Sequence, residues 1–221
     1  MSPDGTPLPR LAVLASGRGS NLQAILDAIS DGSLPAQLVG VFSDKPASDV
    51  LQRVPEALRW SADARAFPFR EAFDAALADA VEAVSPDWVV CAGYMRILGT
   101  DFVTRFRGRL INIHPSLLPR YKGLHTHRRA IEAGDAEHGA SVHFVVPELD
   151  AGAVIAQATV PVAPGDSPET LARRLLPVEH RLLVATLQLC VAGRVSERDD
   201  TVLLDGHPGF TPLRLDCGAP A

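Results

Sequence analysis

Cysteine is scarce in this chain. Cys91, Cys190 and Cys217 are the only three, and no Cys-x-x-Cys pair exists. A disulfide framework and a zinc ribbon are therefore excluded, and the pattern fits reduced thiols in the cytoplasm. Lysine is scarcer still: Lys45 and Lys122 stand alone, so arginine carries nearly all the positive charge. The net charge of −5 lacks the basic excess that general nucleic-acid binding requires. No run of 18 apolar residues occurs, so no membrane span is expected. Met1 to Arg10 is rich in proline and polar residues and has no apolar stretch of the signal-peptide kind. Repeats and long linkers are missing too.

What is present is an ordinary globular composition, 47% hydrophobic over 221 residues. That length suits one large α/β domain or two small ones. Without a linker, a single domain over 1–221 is expected, with a core of about 10–193 and a tail of 194–221. Strand and helix patterns alternate. Leu11–Ala15, Gln37–Ser43, Trp88–Ala92 and Leu110–His114 are short apolar runs of the strand type. Asn21–Ile29 and Glu71–Val84 repeat apolar residues at helical spacing. The alternation predicts an open, mostly parallel twisted sheet with helices on both faces, a Rossmann-like arrangement. Ala140–Val146 and Ala153–Val162 read as an antiparallel addition. Ser167–Ala192 reads as a long helix opened by Ser167 and Pro168, with a kink or break at Pro177. In the tail only Thr201–Leu204 resembles a strand. Asp44–Arg65 carries no clear pattern.

The first strand runs into Ser16-Gly17-Arg18-Gly19-Ser20-Asn21, and a helix follows at once. Glycine permits a tight turn, and the helix start offers unpaired N–H groups and a positive dipole end. Gly17, Gly19, Ser20 and Asn21 are thus candidates for holding a phosphate. Ser20 with Gln23 also has capping-box spacing. A dinucleotide fingerprint fails in part because Leu22 replaces the third glycine, though Asp44 could imitate its ribose-binding acid. A P-loop fails for want of Lys-Ser/Thr.

Asn112, His114 and Asp150 form the second candidate group. Residues two apart on a strand share a face, so Asn112 and His114 point the same way, and Pro115 ends the strand. An amide donor and an imidazole at a strand's carboxyl end, joined by a carboxylate, supply an oxyanion donor, a titratable ring and a proton acceptor. Alone, such a histidine is commonly structural, and Asp in Asp150-Ala151-Gly152 is commonly a turn residue. Five of the seven histidines lie within 114–143, including His125-Thr126-His127. His-x-His is a fair metal pair. Yet the prolines at 115 and 119 prevent helical ligand spacing here, and no metal is expected. Cys91, among Val89, Val90 and Ala92, reads as an inert buried thiol.

Together these motifs carry a family resemblance. Ser16–Gln23, Ala92-Gly-Tyr-Met-Arg-Ile-Leu98, Leu110–Pro119, Gly123–His127, His138–Phe144 and Glu148–Gly152 make the chain similar to the folate-dependent phosphoribosylglycinamide formyltransferases. The resemblance implies transfer of a formyl group from 10-formyltetrahydrofolate to the amine of glycinamide ribonucleotide, in purine synthesis. It implies catalysis by Asn112, His114 and Asp150. It implies ribonucleotide binding by Gly17, Gly19, Ser20, Asn21 and Glu179. Folate binding would fall to Arg70, Met95, Arg96, Ile97, Leu98, Ser141 and His143. It further implies small-molecule substrates only, a monomer or homodimer, and a cytoplasmic location. Asp-Ala-Gly at 150–152 departs from the family's usual Asp-Gly-Gly, and Pro46–Pro68 barely matches. A formyltetrahydrofolate hydrolase is the alternative, with water in place of the amine, but such enzymes usually carry an amino-terminal regulatory domain. A tRNA formyltransferase would need a basic carboxyl-terminal domain. A metal- or nucleotide-dependent α/β enzyme is the remaining alternative.

Overall fold

A computed structural model describes residues 5–208 and 212–214. The chain folds as two compact units, Met1–Asn112 and Ile113–Ala221.

In the first unit, β1 (Arg10–Leu14) feeds α1 (Ser20–Ser30), and β2 (Gln37–Ser43) follows. Next come β3 (Arg59–Ser61), α2 (Arg70–Ala83), β4 (Trp88–Cys91), α3 (Thr100–Arg105) and β5 (Leu110–His114), the last crossing the unit boundary. Strand order is β3–β2–β1–β4–β5. All pairings among these strands are parallel. Val89 lies opposite Leu110, Val90 opposite Ile111 and Cys91 opposite Asn112. Beyond Arg10 at its start, β1 is apolar and buried, and so is β4, as parallel strands covered on both faces must be. Helix α2 seats Phe73, Leu77 and Val81 in the core, the helical stripe expected from its sequence.

The second unit contains α4 (Thr126–Glu132), β6 (Glu137–Phe144), β7 (Val154–Pro161) and α5 (Pro168–Val191). Three short strands follow: β8 (Val195–Arg198), β9 (Thr201–Leu204) and β10 (His207–Pro208). The last is β11 (Leu213–Arg214). Strand order is β5–β6–β7–β11. β6 and β7 are antiparallel, as the sequence suggested, and β11 joins β7 in parallel. The α/β class with mostly parallel pairing stands.

Helix α5 runs unbroken through Pro177. Proline removes one amide donor. The cost is offset by a long buried stripe, Leu171, Leu175, Val178, Leu182, Leu183 and Leu187. Its start is a full capping box. The Ser167 hydroxyl accepts from Thr170 N at 3.2 Å, and Ser167 N donates to Thr170 Oγ1 at 2.8 Å. The box expected at Ser20 and Gln23 is not formed. Gly19 caps α1 with φ of 75° and no side-chain bond, and Gln23 turns instead to Asp27. The described part of the tail holds more structure than its sequence suggested. β8, β9 and β10 form an antiparallel sheet that Thr201–Leu204 alone had signalled. Cys217 lies outside the described residues. Among those residues no helix is long and apolar enough to cross a membrane.

Candidate active site

The glycine loop after β1 is held from several sides. Gln23 N donates to Gly19 O at 2.9 Å, closing the first turn of α1. Gly19 needs its missing side chain twice over. Its φ is left-handed, and an added Cβ would strike the Val50 side chain. Ser16 ties the loop to two neighbours. Its hydroxyl donates to Asp44 Oδ1 at 2.5 Å and accepts from Met95 N at 2.9 Å. Asp44 is thereby committed as a buried support, which removes it as a ribose-binding acid. The Asn21 Oδ1 is buried with no hydrogen-bond partner among the described residues.

The segment Met95–Leu98 is pinned at both ends. Arg70 Nη2 donates to Ile97 O at 2.6 Å, and Gly99 N donates to Asp74 Oδ2 at 3.0 Å. Arg70 Nε also lies 3.5 Å from Asp74 Oδ2. Arg96 stacks its guanidinium over the Phe73 ring at 5.0 Å. Between these anchors Met95 and Ile97 are 60% and 53% exposed, whereas Leu98 is buried. Two solvent-facing apolar side chains on a fixed backbone make an apolar strip that a flat ligand could cover.

In the second unit three predicted residues meet. Asp150 Oδ2 lies 3.4 Å from His114 Nδ1, and Asp150 Oδ1 lies 3.8 Å from His143 Nε2. Gly123 N donates to Asp150 Oδ2 at 2.8 Å. The other ring nitrogen of His114, Nε2, is 3.1 Å from the Tyr121 carbonyl oxygen. A carbonyl and a carboxylate both accept, so each ring nitrogen of His114 faces an acceptor. His143 differs. Burial pushes its titration down, and Nδ1 contacts the Phe144 carbonyl at 2.7 Å. Asp150 itself turns the chain at φ 47°, a conformation aspartate tolerates. Gly152 follows because an added Cβ would land on the Phe144 carbonyl.

Ser141 is fully buried and spends its hydroxyl on the protein. It donates to Ser116 O at 2.6 Å and accepts from Leu118 N at 3.0 Å and Gln157 Nε2 at 2.8 Å. It shapes the turn after His114 and has no surface to offer a ligand. Glu179 lies half-buried on α5. Sequence reasoning missed Tyr121 and Gly123, because both contribute backbone atoms that residue identity does not announce. It also missed Ser16, Asp74 and Gln157, whose roles come from long-range hydrogen bonds.

His125 and His127 do not act as a pair. His125 is the exposed cap of α4, while His127 meets His138 edge to face at 5.0 Å. Among the described residues no three His, Cys, Asp or Glu side chains are grouped to hold a metal. Burial pushes the Cys91 thiol up to about 12, so it stays protonated and unreactive. Burial likewise moves His138 down to about 4 from an ordinary value near 6.5. A base with a depressed native value binds its proton more readily when unfolded. Its stabilising contribution is thus full above about 6.5 and is lost as pH falls toward 4. Unfolding midpoints measured between pH 7.5 and 4.5 are expected to fall, and His138→Gln is expected to flatten that slope. An unchanged slope would show that other groups carry it.

A glycine loop at a helix start and a strand-end histidine paired with a carboxylate, on mostly parallel strands, define an α/β enzyme of small-molecule chemistry. Formyl transferase is the family whose pattern matches, over residues 9–187. The chain is 46% identical over 199 residues to phosphoribosylglycinamide formyltransferase of Escherichia coli strain K12, covering 89% of this chain and 94% of that one. It is 42% identical over 204 residues to the Haemophilus influenzae enzyme of the same name, covering 90% and 95%. The solved structure of phosphoribosylglycinamide formyltransferase from Coxiella burnetii superposes with a TM-score of 0.88 at 42% identity, over 95% of this chain and 99% of that one. The chain belongs to the formyl transferase family and, within it, to the phosphoribosylglycinamide formyltransferases, enzymes of formyl transfer in purine biosynthesis.

Proposed function

We propose that the chain moves the formyl group of 10-formyltetrahydrofolate to the primary amine of glycinamide ribonucleotide, without a covalent enzyme intermediate. The observation that carries this reading is the placement of His114 between Asp150 Oδ2 and the Tyr121 carbonyl. The amine nitrogen attacks the formyl carbon and forms a tetrahedral oxyanion. His114 and the amide of Asn112, two positions earlier on β5, donate hydrogen bonds that stabilise that charge. Asp150 orients His114 through its Nδ1 and accepts the proton the amine loses. Collapse breaks the bond to the folate nitrogen, which takes up a proton. Gly17, Gly19, Ser20 and Asn21 receive the substrate phosphate at the start of α1, and Glu179 its ribose. Arg70 and Met95–Leu98 receive the pterin, with the apolar strip beneath it. Because Ser141 is fully buried, its part is to shape the turn that follows His114. The family match spans residues of both units, which supports one catalytic domain.

The phosphate assignment is tested with Ser20→Asp, which sets a carboxylate against the phosphate at the helix terminus. The Michaelis constant for the ribonucleotide is expected to rise at least roughly tenfold, with that for the folate nearly constant. A parallel rise in both would refute the assignment.

A further inference from the structure

Within residues 46–68, expected from sequence to diverge from the family, one part grips the glycine loop. The 3-10 turn Asp49–Arg53 is the part. Val50 N donates to Gly17 O at 3.0 Å, and the Ser48 hydroxyl donates to the same oxygen at 2.9 Å. Arg53 Nε donates to Arg18 O at 2.7 Å, and its Nη1 donates to Gln23 Oε1 at 2.8 Å. The guanidinium therefore lies along the first turn of α1. Its Nε is 3.0 Å from where a Cβ on Gly19 would stand.

Several arginines have a carboxylate partner, as Arg65, Arg105, Arg120, Arg174 and Arg194 do. Arg53 has none among the described residues. Its two engaged nitrogens face neutral oxygens. The carboxylate of Asp27 is reached only through the Gln23 amide, which donates to it at 2.8 Å. The first turn of α1 carries no acid either. A positive charge is thus fixed beside the helix-start amides with no ion-pair partner among the described residues. Both engaged nitrogens are used to fix the side chain, and that fixing makes the charge directional.

We infer that Arg53 is a specificity-determining residue for the substrate's phosphate. It rests on the reading of Gly19–Asn21 as the phosphate loop. The amides of α1 recognise the shape of the anion. Arg53 adds the long-range charge that separates a phosphorylated substrate from its dephosphorylated counterpart. The side chain is exposed, so solvent screens its charge and the effect is moderate.

The experiment compares Arg53→Met and Arg53→Lys with the unaltered enzyme, using glycinamide ribonucleotide and the same compound without its phosphate. Arg53→Met is expected to raise the Michaelis constant for the ribonucleotide roughly three- to tenfold. The folate constant, the constant for the dephosphorylated compound and the thermal midpoint should stay nearly fixed. Arg53→Lys, which keeps the charge but cannot form the same fork, should retain most of the ribonucleotide affinity. If lysine is as damaging as methionine, or if both substrates weaken alike, Arg53 serves only to brace the loop and the inference fails. Ser20→Asp separates the two levels. Should it leave the ribonucleotide constant unchanged, the phosphate loop itself is misassigned. Should it raise that constant while Arg53→Met does not, only the role of Arg53 is overturned.

Discussion

Asp150→Asn is expected to lower kcat at least roughly a hundredfold, and His114→Ala by a similar factor, with both proteins still folded. A hundredfold corresponds to about 2.7 kcal/mol of lost transition-state stabilisation. The asparagine variant isolates charge from shape. Asn keeps an oxygen for the Gly123 amide, and it tolerates the left-handed backbone that Asp150 adopts. What it loses is the negative charge beside His114 Nδ1 and the ability to take a proton. His114→Ala removes the ring outright and leaves the Tyr121 carbonyl without its partner. Steady-state rates with both substrates saturating, beside a thermal melt, make the measurement. Near-normal turnover in either folded variant would remove that residue from the chemistry.

Glycinamide ribonucleotide is expected to accelerate loss of the formyl group from 10-formyltetrahydrofolate at least roughly a thousandfold over water alone. The reason is positional. A phosphate seated on a helix start fixes the rest of a small substrate, so the amine attacks as though intramolecular. Water has no such handle. Folate consumption is followed with and without the ribonucleotide, and formate is assayed in both. Equal formate release in the two would identify a hydrolase and dismiss the transfer reading.

The sequence and the structure agree best where a physical period is long. The stripe of α2 and the apolar runs of β1, β2, β4 and β5 declared themselves, because burial of a whole face leaves a repeating mark. The segment 44–65 was opaque for the opposite reason. Its 3-10 turns and the three-residue β3 are shorter than any period they could display. The Ser20–Gln23 spacing was misleading since Gly19, already left-handed, caps α1 without a side chain. For the candidate site, side-chain chemistry was legible and backbone chemistry was not. His114, His143 and Asp150 could be named in advance, and the structure brings them together. The carbonyl of Tyr121 and the amide of Gly123 could not, because every residue has them.

The pairing of β5 with β4 has a consequence for what changes this strand can accept. Its side chains are buried throughout except Asn112, which is only partly covered. A slip of one position would turn Asn112 and His114 toward the opposite face and bring the isoleucines to theirs. The contacts of Leu110, Ile111 and Asn112 with Val89, Val90 and Cys91 oppose that slip. The pairing of β4 with β5 thus sets which way Asn112 and His114, the residues proposed as catalytic, face. Inserting or deleting one residue in β5 is therefore expected to abolish activity, measured as turnover beside a thermal melt, while leaving Asn112, His114 and Asp150 in the sequence.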